Sequence, residues 1–152
     1  MNSTQLNHQL EYLGRGITVM PPQLSRFINQ LKWLQEAAVL FIVPESFSSS
    51  QIQEMLMEIV SREPIAIMIT GKESEMWFEQ ILKVLSQQHT LKHTMTYHAE
   101  CKIEEAIEEF LHNALPSEER FEEWKRYVII TDKTQEVYAF FDAEKMNADE
   151  NR

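Results

Sequence analysis

The sequence predicts a three-layer α/β domain with a mostly parallel sheet, helices on both faces and a carboxyl-terminal β-hairpin that supplies antiparallel strands. Two observations carry the parallel core. Residues Ala37-Ala38-Val39-Leu40-Phe41-Ile42-Val43 and Ile65-Ala66-Ile67-Met68-Ile69 are uncharged apolar runs of strand length, suited to strands buried on both faces. Each is followed by a segment whose apolar residues recur at helical spacing, so strand and helix alternate as in a β-α-β unit, which crosses right-handed. A third observation, at the far end, predicts the hairpin: Tyr127-Val128-Ile129-Ile130-Thr131 and Val137-Tyr138-Ala139-Phe140-Phe141 flank the polar Asp132-Lys133-Thr134-Gln135-Glu136. An α+β arrangement is the alternative.

In chain order, residues 3 to 13 read as a short helix capped by Ser3 or Thr4, with Leu6, Leu10 and Leu13 along one side before Gly14 and Gly16 break it. Ile17-Thr18-Val19-Met20 is a candidate short strand. Pro21-Pro22 opens a helix to about Glu36, in which Leu24, Phe27, Ile28, Leu31 and Leu34 gather on one side and Trp33 falls nearly opposite. Trp33 there is either a partner contact or a residue covered by a neighbouring element. Residues 1–36 are therefore expected to form a helical region packed on an α/β core spanning 37–141, all within one domain.

The first apolar run is the expected central strand. Pro44 ends its ladder, having no backbone N–H to donate, and Glu45 follows at the strand's carboxyl end. Ser46 to Ser50 supply caps for a helix with Ile52, Met55, Leu56, Ile59 and Val60 in register, which covers the strand. Gly71 closes the second strand, and Trp77, Phe78, Ile81, Leu82 and Leu85 form the apolar side of the next helix. His93 to His98 alternates, with threonines and an aromatic, as a strand near an edge would. Ile103, Ala106, Ile107, Phe110 and Leu111 form the stripe of a further helix, ended by Pro116, and Ser117-Glu118-Glu119 can cap another through Phe121 and Trp124. From Asp142 the chain turns polar, and 142–152 is expected to fray.

Composition removes several function classes. With glycine only at 14, 16 and 71, neither G-x-G-x-x-G nor the P-loop pattern can be written, so those phosphate cradles are excluded. A formal net charge of −10 opposes nucleic acid and anionic membranes and favours cationic partners. No run approaches the roughly 20 apolar residues of a membrane span. Cys101 is the lone cysteine, and Met1 to Gln5 show neither a basic region nor an apolar run, so a reducing cytoplasm is the expected location.

Three constellations could carry function. Strand-end loops of a parallel sheet share one edge, which would gather Glu45, Lys72, His98 and Glu100; a carboxylate could orient His98 as a base and Lys72 could hold an anion. Any α/β protein places polar residues there, and no spacing specifies a nucleophile. Secondly, His89, His93, His98 and Cys101 tempt a zinc reading, but no C-x-x-C pair exists, and an extended 93–98 sends His93 and His98 to opposite faces. No metal or cofactor is expected. The third constellation is electrostatic. Glu104, Glu105, Glu108, Glu109, Glu118, Glu119, Glu122 and Glu123 stand against only Lys102 and Arg120, with Phe121 and Trp124 among them. A solvated helix commonly mixes in lysine at i, i+4; here that pairing is sparse, and aromatics inside an acidic rim suit a cationic protein partner.

The order of Val43-Pro44-Glu45 after a strand, Ser74 to Trp77 opening a helix, Thr96-Tyr97-His98 before a loop and the run Glu104 to Leu111 resembles small uncharacterised bacterial α/β domains, immunity-type proteins among them, over residues 37 to 131. The resemblance implies a fold and no reaction. Together these readings give a non-enzymatic cytoplasmic protein-binding domain, an immunity-type inhibitor that occludes a basic toxin domain. Its expected partner surface is Glu104, Glu105, Glu108, Glu109, Glu119, Glu122, Glu123, Trp124 and Trp33. The alternative is a small enzyme or ligand sensor working at the strand-end edge.

Overall fold

The computed structural model describes residues 10–22, 34–87, 94–98, 102–113, 116 and 118–150. Strands β1 (Leu10–Tyr12), β2 (Arg15–Met20), β3 (Ala37–Ile42), β4 (Ala66–Thr70), β5 (Thr94–His98) and β6 (Arg126–Ile130) form one sheet in the order β1-β2-β6-β3-β4-β5. All neighbours are parallel except β1 with β2. Four helices, α1 (Ser49–Ser61), α2 (Ser74–Gln87), α3 (Ile103–Asn113) and α4 (Thr134–Glu150), and 3-10 turns at Leu34–Glu36 and Glu118–Glu123 complete the described elements.

The expected central strand is central. All six residues of β3 are buried, and it pairs with β4 on one side (Val39 opposite Ile67) and β6 on the other (Val39 opposite Val128). Because successive side chains alternate across a strand, the sheet builds two cores. Val39, Phe41, Ile67, Ile69, Val128 and Ile130 pack with α1 and α2 on one face. Ala38, Leu40, Met68, Tyr127 and Ile129 pack with α3, Trp124 and Val137 on the other. Helix α1 begins as its sequence predicts: the Ser48 hydroxyl accepts from the Gln51 N–H at 3.2 Å, and the Gln51 side chain accepts from the Ser48 N–H at 2.9 Å, a reciprocal capping box.

From β3 the chain winds outward through α1, β4, α2 and β5, then returns past β3 to place β6 on its other side. Strand order therefore reverses between β3 and β6, and a crevice outside their carboxyl ends is where open α/β sheets bind ligands.

Two sequence expectations are corrected at the chain's ends. The carboxyl-terminal hairpin is absent: Thr134–Glu150 is helix α4, which includes Val137-Tyr138-Ala139-Phe140-Phe141 and carries on through the stretch expected to fray. Val137, Phe140 and Phe141 stand at i, i+3 and i+4 and pack together on the α3 face of the sheet, a helical period that outweighs the β-propensity of the same residues. Asp132 to Glu136 also lack the glycine that a tight strand reversal favours.

The antiparallel hairpin lies at the opposite end. Leu10–Tyr12, expected to close a helix, is strand β1, and it turns into β2 through Leu13 (φ 53°) and Gly14 (φ 78°). Two consecutive positive φ values define the two-residue turn whose twist matches its flanking strands. The candidate strand at Ile17 to Met20 is the body of β2. Residues 3–9, most of the helix expected from Pro22 to Glu36, and Trp33 lie outside the described residues; within that span Leu34–Glu36 is a 3-10 turn.

Candidate functional site

The larger concavity lies on the α3 face at the outer edge of the sheet. Strand β1, the second half of α3 and the middle of α4 enclose a groove of about 550 Å³, within the usual range of ligand-binding clefts. Leu10, Tyr12, Leu111, Phe140 and Phe141 give it an apolar wall, and Glu11, Glu108, Asp142 and Glu144 contribute four carboxylates. The wall is held from below by an aromatic stack: the Tyr12 ring lies 5.9 Å from Tyr127, which is edge-on to Phe110 at 5.7 Å and to Trp124 at 5.3 Å. Phe140 and Phe141 meet edge-on at 5.2 Å, and His112 stands 6.4 Å from Tyr12.

Helix α3 supplies the acids by simple geometry. At 100° per residue, Glu104, Glu105, Glu108 and Glu109 occupy one side, while Ala106, Ile107, Phe110 and Leu111 occupy the other and are buried. Glu104, Glu105 and Glu108 are exposed and Glu109 is half-buried. Of these four acids, Glu108 is the one that lines the groove, beside Leu111 and His112.

The acids of the 3-10 turn do not join this face. Arg120 donates to the carbonyls of Pro64 and Glu63 at 3.3 Å and of Gln35 at 3.5 Å, residues that immediately precede β4 and β3, and the Lys125 N–H bonds the Glu36 carbonyl at 2.9 Å. Exposed Glu119, Glu122 and Glu123 thus lie at the amino edge of the sheet, while Glu104 and Glu105 begin α3 at the carboxyl edge, a helix length of about 16 Å away. Glu123 is also paired, to Arg120 at 3.3 Å.

Trp124 is not a surface anchor. It is 5% exposed, its Nε1 donates to the Arg126 carbonyl at 3.1 Å, and the Arg15 guanidinium lies 3.8 Å over its ring while Arg15 Nε donates to the Trp124 carbonyl. The exposed aromatic of this segment is Phe121, 49% exposed and edge-on to Trp124.

A second, far smaller cavity of about 50 Å³ opens at the strand-end edge, with Glu45, Thr70, Lys72 and Lys133 on its wall beside the first turn of α3. Glu45 and Lys72 are exposed there, and Lys133 Nζ is 3.8 Å from Glu45. The register places His98 opposite Thr70 on the neighbouring strand, but its side chain, and Glu100 entirely, lie outside the described residues. So do His89, His93 and Cys101. Among the described residues no three His, Cys, Asp or Glu side chains come together as a metal site, and no helix is long and apolar enough to cross a membrane.

Sequence reasoning found Glu108 but missed Glu11, Tyr12, Phe140, Phe141, Asp142 and Glu144. The signal that could have found the α4 residues was the i, i+3, i+4 spacing of Val137, Phe140 and Phe141. No protein-family model, curated protein or solved structure matches the chain.

Proposed function

We propose that the chain is a non-enzymatic protein-binding domain for a basic partner, engaged at the α3 acidic face and the groove beside it. The observation that carries this reading is the groove itself: an apolar wall of Tyr12, Leu111, Phe140 and Phe141 combined with Glu11, Glu108, Asp142 and Glu144. Lysine and arginine side chains have that same division, an aliphatic stem ending in a charge, so a basic segment can bury its stems on the wall and meet carboxylates at its heads. Exposed Glu104 and Glu105 and a net charge of −10 extend the field that would steer such a partner inward. In its finer form the proposal is an immunity-type inhibitor that acts in the cytoplasm by covering a basic toxin domain. The strand-end cavity, about 50 Å³ against 550 Å³, is too small for most metabolites, which weighs against the enzyme alternative.

The test begins with a partner isolated by pull-down and purified. Reversing Glu105, Glu108 and Glu109 together to lysine should slow its association at low salt by about tenfold or more and flatten the salt dependence, because fixed charge acts mainly on the encounter rate. Circular dichroism verifies the fold of the triple variant. Association of that folded variant at the wild-type rate at low salt would refute the proposal.

A further inference from the structure

The wall of the strand-end cavity includes Thr70. Thr70, the last residue of β4, is 2% exposed, and its hydroxyl oxygen is buried with no hydrogen-bond partner among the described residues. Its backbone carbonyl accepts from the Val43 N–H at 2.9 Å. A buried hydroxyl without a partner destabilises a fold, and a bound water, ion or ligand is one way in which native proteins satisfy such a group.

What surrounds it is positive on balance, two lysines against one glutamate. Ile103 and Ala106 bring the first turn of α3 to the cavity, and the leading N–H groups of an α-helix have no intrahelical acceptor. Lys72 and Lys133 stand on the same wall. The opposing charge is Glu45, which faces Lys133 at 3.8 Å. The cavity lies next to β3 at its carboxyl end, where strand order reverses. Its volume of about 50 Å³ exceeds the roughly 10–15 Å³ that one water requires and suits a single small anion.

We propose that this cavity binds a tetrahedral oxyanion of the phosphate class, with the Thr70 hydroxyl as buried donor, the α3 amino terminus as dipolar donor and Lys72 and Lys133 as counter-charges. The site is separate from the groove and does not depend on the partner reading. The anion is either free phosphate or the phosphoryl group of a small ester, two sources with the same recognition chemistry.

Titration of ¹⁵N-labelled protein with inorganic phosphate, and in a second arm with glycerol 3-phosphate, reads the site directly, with sodium chloride at matched ionic strength as control. Saturable shifts of the Gly71, Lys72 and Ile103 amides are expected. Equal affinity in the two arms assigns free phosphate, and tighter binding of the ester assigns a phosphorylated metabolite. Thr70→Val should weaken binding at least tenfold while leaving the melting temperature without phosphate unchanged or higher, since it deletes an unpartnered hydroxyl at constant shape. Lys133→Gln, at a more accessible position, should also weaken binding severalfold. Shifts reproduced by chloride, an absence of saturable shifts in both arms, or wild-type affinity in both variants would overturn the assignment.

Discussion

Replacing Phe41 by alanine tests the architecture most directly. Phe41 is fully buried in the middle strand, opposite Ile69 on β4 and Ile130 on β6, and belongs to the core beneath α1 and α2. Burial of the ring accounts for roughly 150 Å² of apolar surface, which at about 25 cal/mol per Å² is near 4 kcal/mol, and large-to-small changes of this kind cost about 3–5 kcal/mol once the residual cavity is included. Because strands on both sides and helices above fix the site, little collapse can offset the loss. Single domains are stable by roughly 5–15 kcal/mol, so the variant should remain folded in buffer but lose about a quarter or more of its margin. In urea, with a slope of about 2 kcal/mol per M, the midpoint should fall by about 2 M at unchanged slope. Phe121→Ala, at a half-exposed ring on the 3-10 turn, is the control and should move the midpoint by less than half as much. If the Phe41 variant unfolds at the wild-type midpoint, β3 is not the strand on which both halves of the sheet depend.

Two further substitutions probe local features. Leu13, exposed and held at φ 53° in the β1–β2 turn, bears a left-handed strain of about 1–2 kcal/mol that asparagine tolerates better, so Leu13→Asn should raise the thermal midpoint; an unchanged or lower midpoint contradicts the turn geometry. Burial holds the Tyr127 hydroxyl above its usual pKa near 10, with the Arg15 charge opposing and Tyr12 adding to the effect, and that hydroxyl has no partner among the described residues. A raised folded-state pKa means that the native state retains its proton where the unfolded chain has lost it, so stability is intact below pH 10 and declines as pH rises beyond it. Tyr127→Phe should be neutral or stabilising at pH 7 and should lessen the alkaline decline in urea midpoint; identical pH profiles for the two proteins would count against a buried, unpartnered phenol.

What could be read from sequence was whatever local pattern and burial agree upon. The uncharged runs at 37–43 and 65–69 became β3 and β4 because no other element can hide so many contiguous apolar side chains, and the stripes of α1, α2 and α3 gave both helix and buried face. Pattern failed where the same residues satisfy two periods. Val137 to Phe141 contain β-branched and aromatic residues that suit a strand, yet also the three-and-four spacing of a helix, and packing against the sheet selects the second. Leu10 to Tyr12 is too short for a period to be read at all; its strand exists because β2 offers a partner. The site followed the same rule. Glu108 could be found from its helix, but the groove needs β1 and α4, the two misread elements, and so could not be seen. Trp124 shows the converse limit, since only the structure reveals that Arg15 and Tyr127 enclose it.

The sheet order also dictates how synthesis and assembly must relate. Strand β6 lies between β2 and β3, yet it follows both late in the chain: Val39 is paired with Val128, and Ile17 with Tyr127. While a ribosome delivers the chain from its amino end, β3 can acquire β4 early, but the facing edges of β2 and β3 remain open until Arg126–Ile130 has emerged. Those edges are hydrophobic and hydrogen-bond-hungry, the condition under which nascent chains pair with one another. Closure is therefore a late event that converts two open flanks into one continuous sheet, and until it occurs the vulnerable part of this molecule is its middle, not its rim.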